Sequence, residues 1–280
     1  MEELKTKIFN LVKSKKFRKW SMSECAEIRT KRAIDICINE NRAINFVFEF
    51  GGYKLWRLPS APYTDLAEVY MLNYYVSYVE LIAKIYEPGV NLYFASDDCV
   101  VSRMNNIVPD AMEKYAASFR DCIKNLKAKL PNNINVEYVR LAELYEDKSK
   151  LEEELELTFK DNMKKFESWT QVKKDKMLKR AELNFCKCGN LALKDLSNIG
   201  ESDYQQRLIE GAVYHDAFED CEKRKKFVLN EDRILLFCTP IPEAIAIGTT
   251  KASVTKFWTG FGVEKNGLQL ILSPTHLGEE

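Results

Sequence analysis

The stretch that decides the fold, residues 62–106, reads PYTDLAEVYMLNYYVSYVELIAKIYEPGVNLYFASDDCVVSRMNN. It contains a helix cap, a long apolar helix over 66–86, a Pro-Gly break, a short strand over 90–95 and two adjacent carboxylates, Asp97 and Asp98. A helix, a strand and a polar loop in this order are typical of an α/β domain, in which ligands bind beyond the carboxyl ends of the strands. We therefore expect a functional site in the loop after this strand.

One carboxylate, Glu68, lies on the apolar side of the predicted helix. The solvent-facing stripe of that helix is spaced i, i+4, i+7, i+11 and consists of Asn73, Ser77, Glu80 and Lys84. At about 100° per residue, Glu68 falls roughly 150° from this stripe, and a buried carboxylate is costly unless it is paired. Two roles fit and are compatible: the third residue of a capping box that begins at Asp65, or a residue of the site.

The loop after the strand combines acids, a cation and amides. Ser96, Asp97 and Asp98 are followed by Arg103 and Asn105. Adjacent carboxylates can hold a divalent cation, act as a general base or bind hydroxyl and ammonium groups of a substrate. An acidic pair after a strand is also common in turns and caps, but the nearby cation and amides favour a site.

Two further segments are candidates for binding an anion. The strand predicted over 43–50 ends in two glycines, after which Lys54 and Arg57 lie among aromatic residues; the alternative is an ordinary aromatic-rich turn. Residues 247–258 hold one glycine, four hydroxyls and two lysines, which suit a phosphate cradle formed by Thr249, Thr250, Lys251, Ser253 and Lys256. This segment lacks the pattern of a Walker A loop, and a polar edge strand is its alternative.

Composition bounds the class of protein. The chain has 280 residues, and 42 basic residues balance 42 acidic ones, which argues against a nucleic-acid binder or a binder of anionic membranes. No apolar run approaches the roughly 18 residues that a membrane span requires, and the N-terminus has acids where a signal peptide is basic. We expect a cytoplasmic protein whose partners are small molecules, with no nucleic acid and no membrane.

The eight cysteines are scattered through predicted helices and strands, so we expect free thiols rather than a disulfide framework. Cys186 and Cys188 form the one close pair, and His215 and His276 show no ligand spacing with it. A turn after a helix is therefore favoured over a zinc site.

The pattern predicts a single α/β domain over 1–280, with a helical N-terminus (1–42), a core (43–145), a helical segment (148–226) and C-terminal strands (233–272). The sheet should be mostly parallel and include 43–50, 90–95 and 134–140. The short strands and tight turns of 244–272 predict an antiparallel edge. The charged stretch 148–182 has one apolar stripe, which indicates a single long helix packed on the domain or on a partner.

The central stretch resembles the pyoverdine/dityrosine biosynthesis family, the isocyanide (isonitrile) synthases. That family has a Pro-Asp-x-Ala-Glu helix start, a Tyr-x-Pro-Gly break and a Ser-Asp-Gly-x-Val-Phe loop. The corresponding segments here are Asp65-Leu66-Ala67-Glu68, Tyr86-Glu87-Pro88-Gly89 and Ser96-Asp97-Asp98-Cys99-Val100-Val101. The C-terminal strands are compatible with the family but less distinctive.

The resemblance implies a Rossmann-like three-layer α/β fold. It also implies an enzyme that converts the α-amino group of an amino acid to an isonitrile, with ribulose 5-phosphate as the carbon donor and no metal or redox cofactor. Carried over by position, it places Glu68, Ser96 and Asp97 at the site. Asp98 stands where the family has glycine, so the loop gains a second carboxylate, and we count it with Glu68 and Asp97 as catalytic.

Two other classes stay open at this point. A metal-dependent glycosyl or nucleotidyl transferase would use Asp97 and Asp98 to hold a divalent ion. A non-catalytic interaction protein would use the helix predicted over 148–182 as its binding surface.

Overall fold

The structure, a computed structural model, describes residues 1–18, 20–50, 62–96, 103–182, 185, 196–237, 240–247, 262–265 and 269–272. Its helices are α1 (Glu2–Lys13), α2 (Glu24–Asn39), α3 (Leu66–Ala83), α4 (Pro109–Lys127), α5 (Lys148–Glu167), α6 (Gln171–Glu182), α7 (Glu201–Asp220) and α8 (Glu222–Val228). Its strands are β1 (Ile44–Phe50), β2 (Val90–Ser96), β3 (Ile134–Arg140), β4 (Arg233–Phe237), β5 (Ile245–Ala246), β6 (Gly262–Lys265) and β7 (Gln269–Leu272).

The first five strands form one parallel sheet in the order β3-β2-β1-β4-β5. The three strands predicted to share a sheet do so, and the Rossmann-like class is confirmed. From β1 the chain moves outward to β2 and β3 on one side, and then returns to β4 on the other side. The carboxyl ends of β1 and β4 therefore flank the topological switch point, where open α/β sheets bind ligands.

The antiparallel pairing predicted for the C-terminal strands is correct for β6 and β7 and wrong for β5, and β6 and β7 are not an edge of the main sheet. β6 and β7 pair antiparallel in a sheet of their own. β5 instead joins the main sheet parallel to β4, with Ile245 opposite Leu236. The physical reason lies in the connection between these strands, where Pro240 and Pro242 interrupt backbone pairing and prevent a tight hairpin.

One face of the sheet, here called the front face, packs against α1 to α4. Alternate residues of β1 (Ile44, Phe46 and Phe48) point to this face and are fully buried, as period-two alternation requires. The core continues into aromatic rings: the Phe94 centroid lies 5.6 Å from that of Tyr75. Burial of this apolar surface is the main stabilising contribution of the fold.

The opposite face, the back face, packs against α8. Val47 and Leu235 form a smaller apolar cluster there with Val228 of α8 and Ala244. Helices thus cover both faces of the sheet, which gives the predicted three-layer arrangement.

The stretch 148–182 is two helices rather than one. α5 ends before Ser168, whose hydroxyl donates to the carbonyl of Lys165 at 2.6 Å, and α6 begins after Thr170. Serine and threonine compete for backbone groups in this way, and an apolar stripe does not reveal the break. The stripe of α5 packs on α7 of the same chain, in a cluster that holds Leu151, Leu155, Tyr214 and Phe218.

The predicted Pro-Gly break before β2 is present. Gly89 has φ +74°, and a Cβ at this position would lie 1.8 Å from the carbonyl oxygen of Asn133. Glycine is therefore required here both by the backbone conformation and by the close approach of the neighbouring chain.

Cys25, Cys37, Cys122 and Cys221 are free thiols, as predicted, while Cys186 and Cys188 lie outside the described residues. Among the helices that the structure describes, none combines the length and the apolar character needed to cross a membrane.

Candidate active site at the carboxyl edge of the sheet

The first turn of α3 and the last residue of β2 both lie at the carboxyl edge of the sheet. The chain leaves the carboxyl end of β1, and α3 then returns it to the amino end of β2, so α3 begins at the carboxyl edge. Glu68 lies in this first turn, and Ser96 ends β2. Two residues that the sequence pattern assigned to the site therefore lie at the same edge.

The Glu68 carboxylate is fully buried, with 0% of the residue exposed. Its Oε2 accepts a hydrogen bond from the backbone N–H of Asp65 at 2.8 Å, which is one half of the predicted capping box. Its Oε1 accepts a long hydrogen bond, 3.4 Å, from the hydroxyl of Tyr115 on α4. The capping contact is thus present, and the burial expected from the helical phase is confirmed.

Tyr115 remains a proton donor toward Glu68. Burial, reinforced by the nearby Glu68 carboxylate, raises the pKa of the Tyr115 hydroxyl well above its ordinary value. Its ring stacks on Phe119 with centroids 5.9 Å apart, which fixes the hydroxyl at the start of α3.

A second set of contacts anchors the residue before the α3 cap. The backbone N–H of Thr64 donates to the Ser118 hydroxyl at 3.1 Å, and the Thr64 hydroxyl lies 3.3 Å from the thiol of Cys122. Both partners belong to α4, so α4 holds the segment that leads into α3. The position of Glu68 is consequently set by two helices.

Buried polar side chains continue along the chain after β2. Ser96, Asn105 and Asn106 are all nearly fully buried. Asn106 has φ +65°, a left-handed conformation that asparagine tolerates better than most residues. Three of the described residues near the loop after β2 are therefore both polar and covered, which is unusual for polar side chains.

Arg103 faces a different set of partners from the one predicted. It forms an ion pair with Glu156 of α5, and its guanidinium lies 3.9 Å from the ring centroid of Tyr214 and 5.0 Å from that of Phe159. These contacts join the short helical turn at 103–105 to α5 and α7.

The other predicted site residues lie outside the described residues, and their roles stay predictions. These are the acidic pair Asp97 and Asp98, the cations Lys54 and Arg57, and the candidate phosphate cradle of Thr249, Thr250, Lys251, Ser253 and Lys256.

The sequence pattern did not single out Glu49. This residue is next to last in β1, faces the back of the sheet and forms an ion pair with Arg224 of α8. Burial raises the pKa of the Glu49 carboxyl, and the Arg224 cation opposes that shift. The signal in the sequence is a carboxylate near the end of a largely apolar, aromatic strand, which is unusual because central parallel strands are normally apolar.

On α7, one histidine and two carboxylates lie close enough together to bind a cation. The Nδ1 atom of His215 is 4.0 Å from a carboxylate oxygen of Asp216, and its Nε2 atom is 3.8 Å from one of Glu219. Imidazole and carboxylate are common metal ligands. Glu219 is exposed and Asp216 is partly exposed, however, and such groups on a helix surface are common without an ion.

The protein is an α/β protein with a Rossmann-like sheet, and it carries buried polar groups at the carboxyl edge, where open α/β sheets bind their ligands. The family model of pyoverdine/dityrosine biosynthesis proteins matches residues 60–207, more than half of the chain. The chain therefore belongs to the pyoverdine/dityrosine biosynthesis protein family. The match includes the start of α3 and the end of β2, which carry the family resemblance in the sequence.

One of two similar solved structures shares this fold. The crystal structure of the PvcA protein from Pseudomonas aeruginosa is similar with a TM-score of 0.68, over 98% of this chain and 93% of that chain, at 15% sequence identity. The tyrosyl-tRNA synthetase from Aeropyrum pernix is similar over 86% of this chain and 54% of that chain, at 11% identity, but its TM-score of 0.39 is too low to inform function. No curated protein matches the chain by sequence.

Proposed function

We propose that this chain is an isonitrile synthase-like enzyme that converts the α-amino group of an amino acid to an isonitrile. The carbon donor is a pentulose phosphate, ribulose 5-phosphate. The observation that carries the proposal is the position of the family-matched segment: its helix start and its strand end bring Glu68 and Ser96 to the carboxyl edge of the sheet. The proposed enzyme works on small molecules in the cytoplasm.

The chemistry begins with condensation of the amine and the ketone. The amine nitrogen forms a bond to the ketone carbon of the sugar phosphate, and the ketone oxygen then leaves as water, so that an imine forms. A base must take a proton from nitrogen, and an acid must give a proton to the departing oxygen. We assign this proton transfer to the carboxylates Glu68, Asp97 and Asp98.

The remaining predicted residues serve substrate binding in this proposal. Hydroxyls, amides and cations suit the phosphate and the amino acid carboxylate. Ser96 and Asn105 are buried beside the loop after β2, and Arg103 belongs to the same set if it exchanges Glu156 for substrate. Lys54, Arg57, Thr249, Thr250, Lys251, Ser253 and Lys256 complete the proposed set.

The experiment is to incubate the protein with ribulose 5-phosphate and each proteinogenic amino acid in turn, and to detect isonitrile by mass spectrometry and infrared absorption. Reactions with a metal chelator separate this reaction from a metal-dependent transfer. Isonitrile that forms with the chelator present, and not with heat-inactivated protein, is the expected result. A protein that yields none, but is stabilised against melting by a nucleotide-sugar together with a divalent ion, would be a transferase instead.

A further inference from the structure

The two carboxylate oxygens of Glu68 contact different helices. Oε2 accepts the backbone N–H of Asp65 at 2.8 Å, within the cap of α3 itself. Oε1 accepts the Tyr115 hydroxyl of α4 at 3.4 Å, whereas a fully formed bond between a hydroxyl and a carboxylate is about 2.5–2.7 Å long. Catalytic hydrogen bonds are often long until substrate binds. Oε2 therefore serves the cap, and Oε1 is the oxygen that is better placed to accept a proton.

The ring of Tyr115 is fixed by the aromatic core. Tyr115 has no exposed surface, and its ring lies nearly parallel to that of Phe119, with 11° between the planes. The Phe119 ring in turn lies 5.7 Å from that of Phe94 and 5.2 Å from that of Tyr138, between centroids. The Tyr115 hydroxyl is thus held at one place relative to the front face of the sheet.

The same face of α4 holds the start of α3 at a second point. Tyr115, Ser118 and Cys122 follow one another at spacings of three and four residues, which places them on one side of the helix. The backbone N–H of Thr64 donates to the Ser118 hydroxyl at 3.1 Å, and the Thr64 hydroxyl lies 3.3 Å from the Cys122 thiol. One face of α4 therefore locates both the chain that enters α3 and the Glu68 side chain.

A hydroxyl that donates to a buried carboxylate acts on its charge as well as on its position. Burial disfavours the ionised form of Glu68, whereas a donated hydrogen bond favours that form. The Tyr115 hydroxyl keeps its own proton, because burial and the Glu68 carboxylate raise its pKa. Tyr115 is therefore suited to hold a basic carboxylate in place without exchanging a proton itself.

We propose that Tyr115 is a positioning residue for Glu68, and that it acts together with the Thr64 contacts on the same face of α4. The inference rests on the proposed function, in which a carboxylate takes the proton that leaves the amine nitrogen. In that step the N–H bond breaks, its electron pair stays on nitrogen for the bond to the ketone carbon, and Oε1 of Glu68 gains the proton.

The test removes one hydroxyl and keeps the ring. Tyr115→Phe loses the hydrogen bond to Glu68 but keeps the stack on Phe119. The matched control is Tyr78→Phe. Tyr78 is 2% exposed and lies about 15 Å further along α3, and its hydroxyl donates to the backbone carbonyl of Val12 at 2.9 Å. Each variant thus loses one buried hydroxyl and its hydrogen bond.

The measurements are the melting temperature of each variant and its kcat and KM for isonitrile formation. We expect Tyr115→Phe to keep its KM and to lose about 10-fold or more in kcat, because the lost hydrogen bond is made to a charged group. Tyr78→Phe should keep its kcat. In the Glu68→Gln background Tyr115→Phe should cause no further loss, since groups that act as a unit are not additive. A folded Tyr115→Phe variant with wild-type kcat, or an equal loss of kcat in Tyr78→Phe, would overturn the assignment.

A second variant covers the case in which Tyr115→Phe does not fold. Thr64→Val removes the Thr64 hydroxyl at a partly exposed position and nearly keeps the shape of the side chain. The assignment predicts a lower kcat at an unchanged KM, and an unchanged kcat in the folded variant overturns it. A wild-type protein that forms no isonitrile with any amino acid would refute the proposed function. An active wild type beside an equally active Tyr115→Phe variant would refute this inference alone.

Discussion

The two faces of β1 differ in chemistry although they alternate along one strand. Ile44, Phe46 and Phe48 face the front and are all fully buried. Asn45 and Glu49 face the back, where each meets a specific polar partner. Apolar burial is non-directional and stabilises the fold, whereas polar groups act through defined partners. The comparison indicates that the front of β1 contributes only apolar surface to the core, whereas the back of the strand also carries polar groups with defined partners.

The back face shows this specificity in a ladder of amides near its amino edge. Asn91 donates to Asn45 at 2.9 Å, Asn135 donates to Asn91 at 3.4 Å, and Asn45 donates to Asp232 at 3.1 Å. The three asparagines lie directly opposite one another in the register of β1, β2 and β3. A slip by one residue would turn these amides into the apolar core, so the ladder helps to specify the register.

The largest expected loss of stability comes from the front face. Phe94→Ala removes a ring that packs on Phe48 and Phe119 with centroids 5.9 and 5.7 Å away. We expect the free energy of unfolding to fall by about 3–5 kcal/mol, because the cavity cannot be refilled by neighbouring rings. Urea unfolding checks this value, with Val47→Ala on the back face as the control. A smaller loss for Phe94→Ala than for Val47→Ala would reverse the comparison.

The next prediction concerns the turn at Gly89, which precedes β2. Gly89→Ala forces alanine into a left-handed conformation and against the carbonyl of Asn133. We expect a loss of about 1–3 kcal/mol. Gly200→Ala is the matched control, because the added Cβ there has ordinary contact only, 3.8 Å from Asp203. Equal losses in the two variants would show that the Gly89 turn is not constrained as described.

The amide ladder gives the smallest expected effect on stability. Asn91→Ala leaves Asn45 and Asn135 without their shared partner, and we expect a loss of about 1–2 kcal/mol. The coupling is checked by a double-mutant cycle with Asn45→Ala, whose effect should not add to that of Asn91→Ala. Strictly additive effects would mean that the ladder does not act as a unit and that the back face is not specified in this way.

Local sequence patterns predicted the helices and strands better than they predicted how the strands pair. The strands near 43–50, 90–95 and 134–140 were predictable because apolar, β-branched residues between turn signals favour strands strongly. The break between α5 and α6 was not predictable, since it depends on the local hydrogen bonds of Ser168. The parallel pairing of β5 with β4 was not predictable either, because strand pairing is decided by contacts between distant parts of the chain.

The candidate site shows the same difference between features that local patterns predict and features that depend on distant contacts. The burial of Glu68 followed from helical phase alone, and the structure agrees. The sequence analysis does not predict a role for Glu49, although this carboxylate lies between two phenylalanines in a central strand. The ion pair of Glu49 could not be predicted from the sequence, because Arg224 comes far later in the chain and contacts Glu49 only in the folded structure.

The central claim is that the carboxyl edge is an active site in which Glu68 does more than cap α3. Glu68→Gln tests it most directly, because glutamine keeps an oxygen for the N–H of Asp65, and the Tyr115 hydroxyl can turn to accept from the new amide. With product formation from amino acid and ribulose 5-phosphate measured beside thermal melting, we predict that turnover falls by about 100-fold or more while the melting temperature barely moves. Full turnover together with a lowered melting temperature would contradict the claim and leave Glu68 as a helix cap.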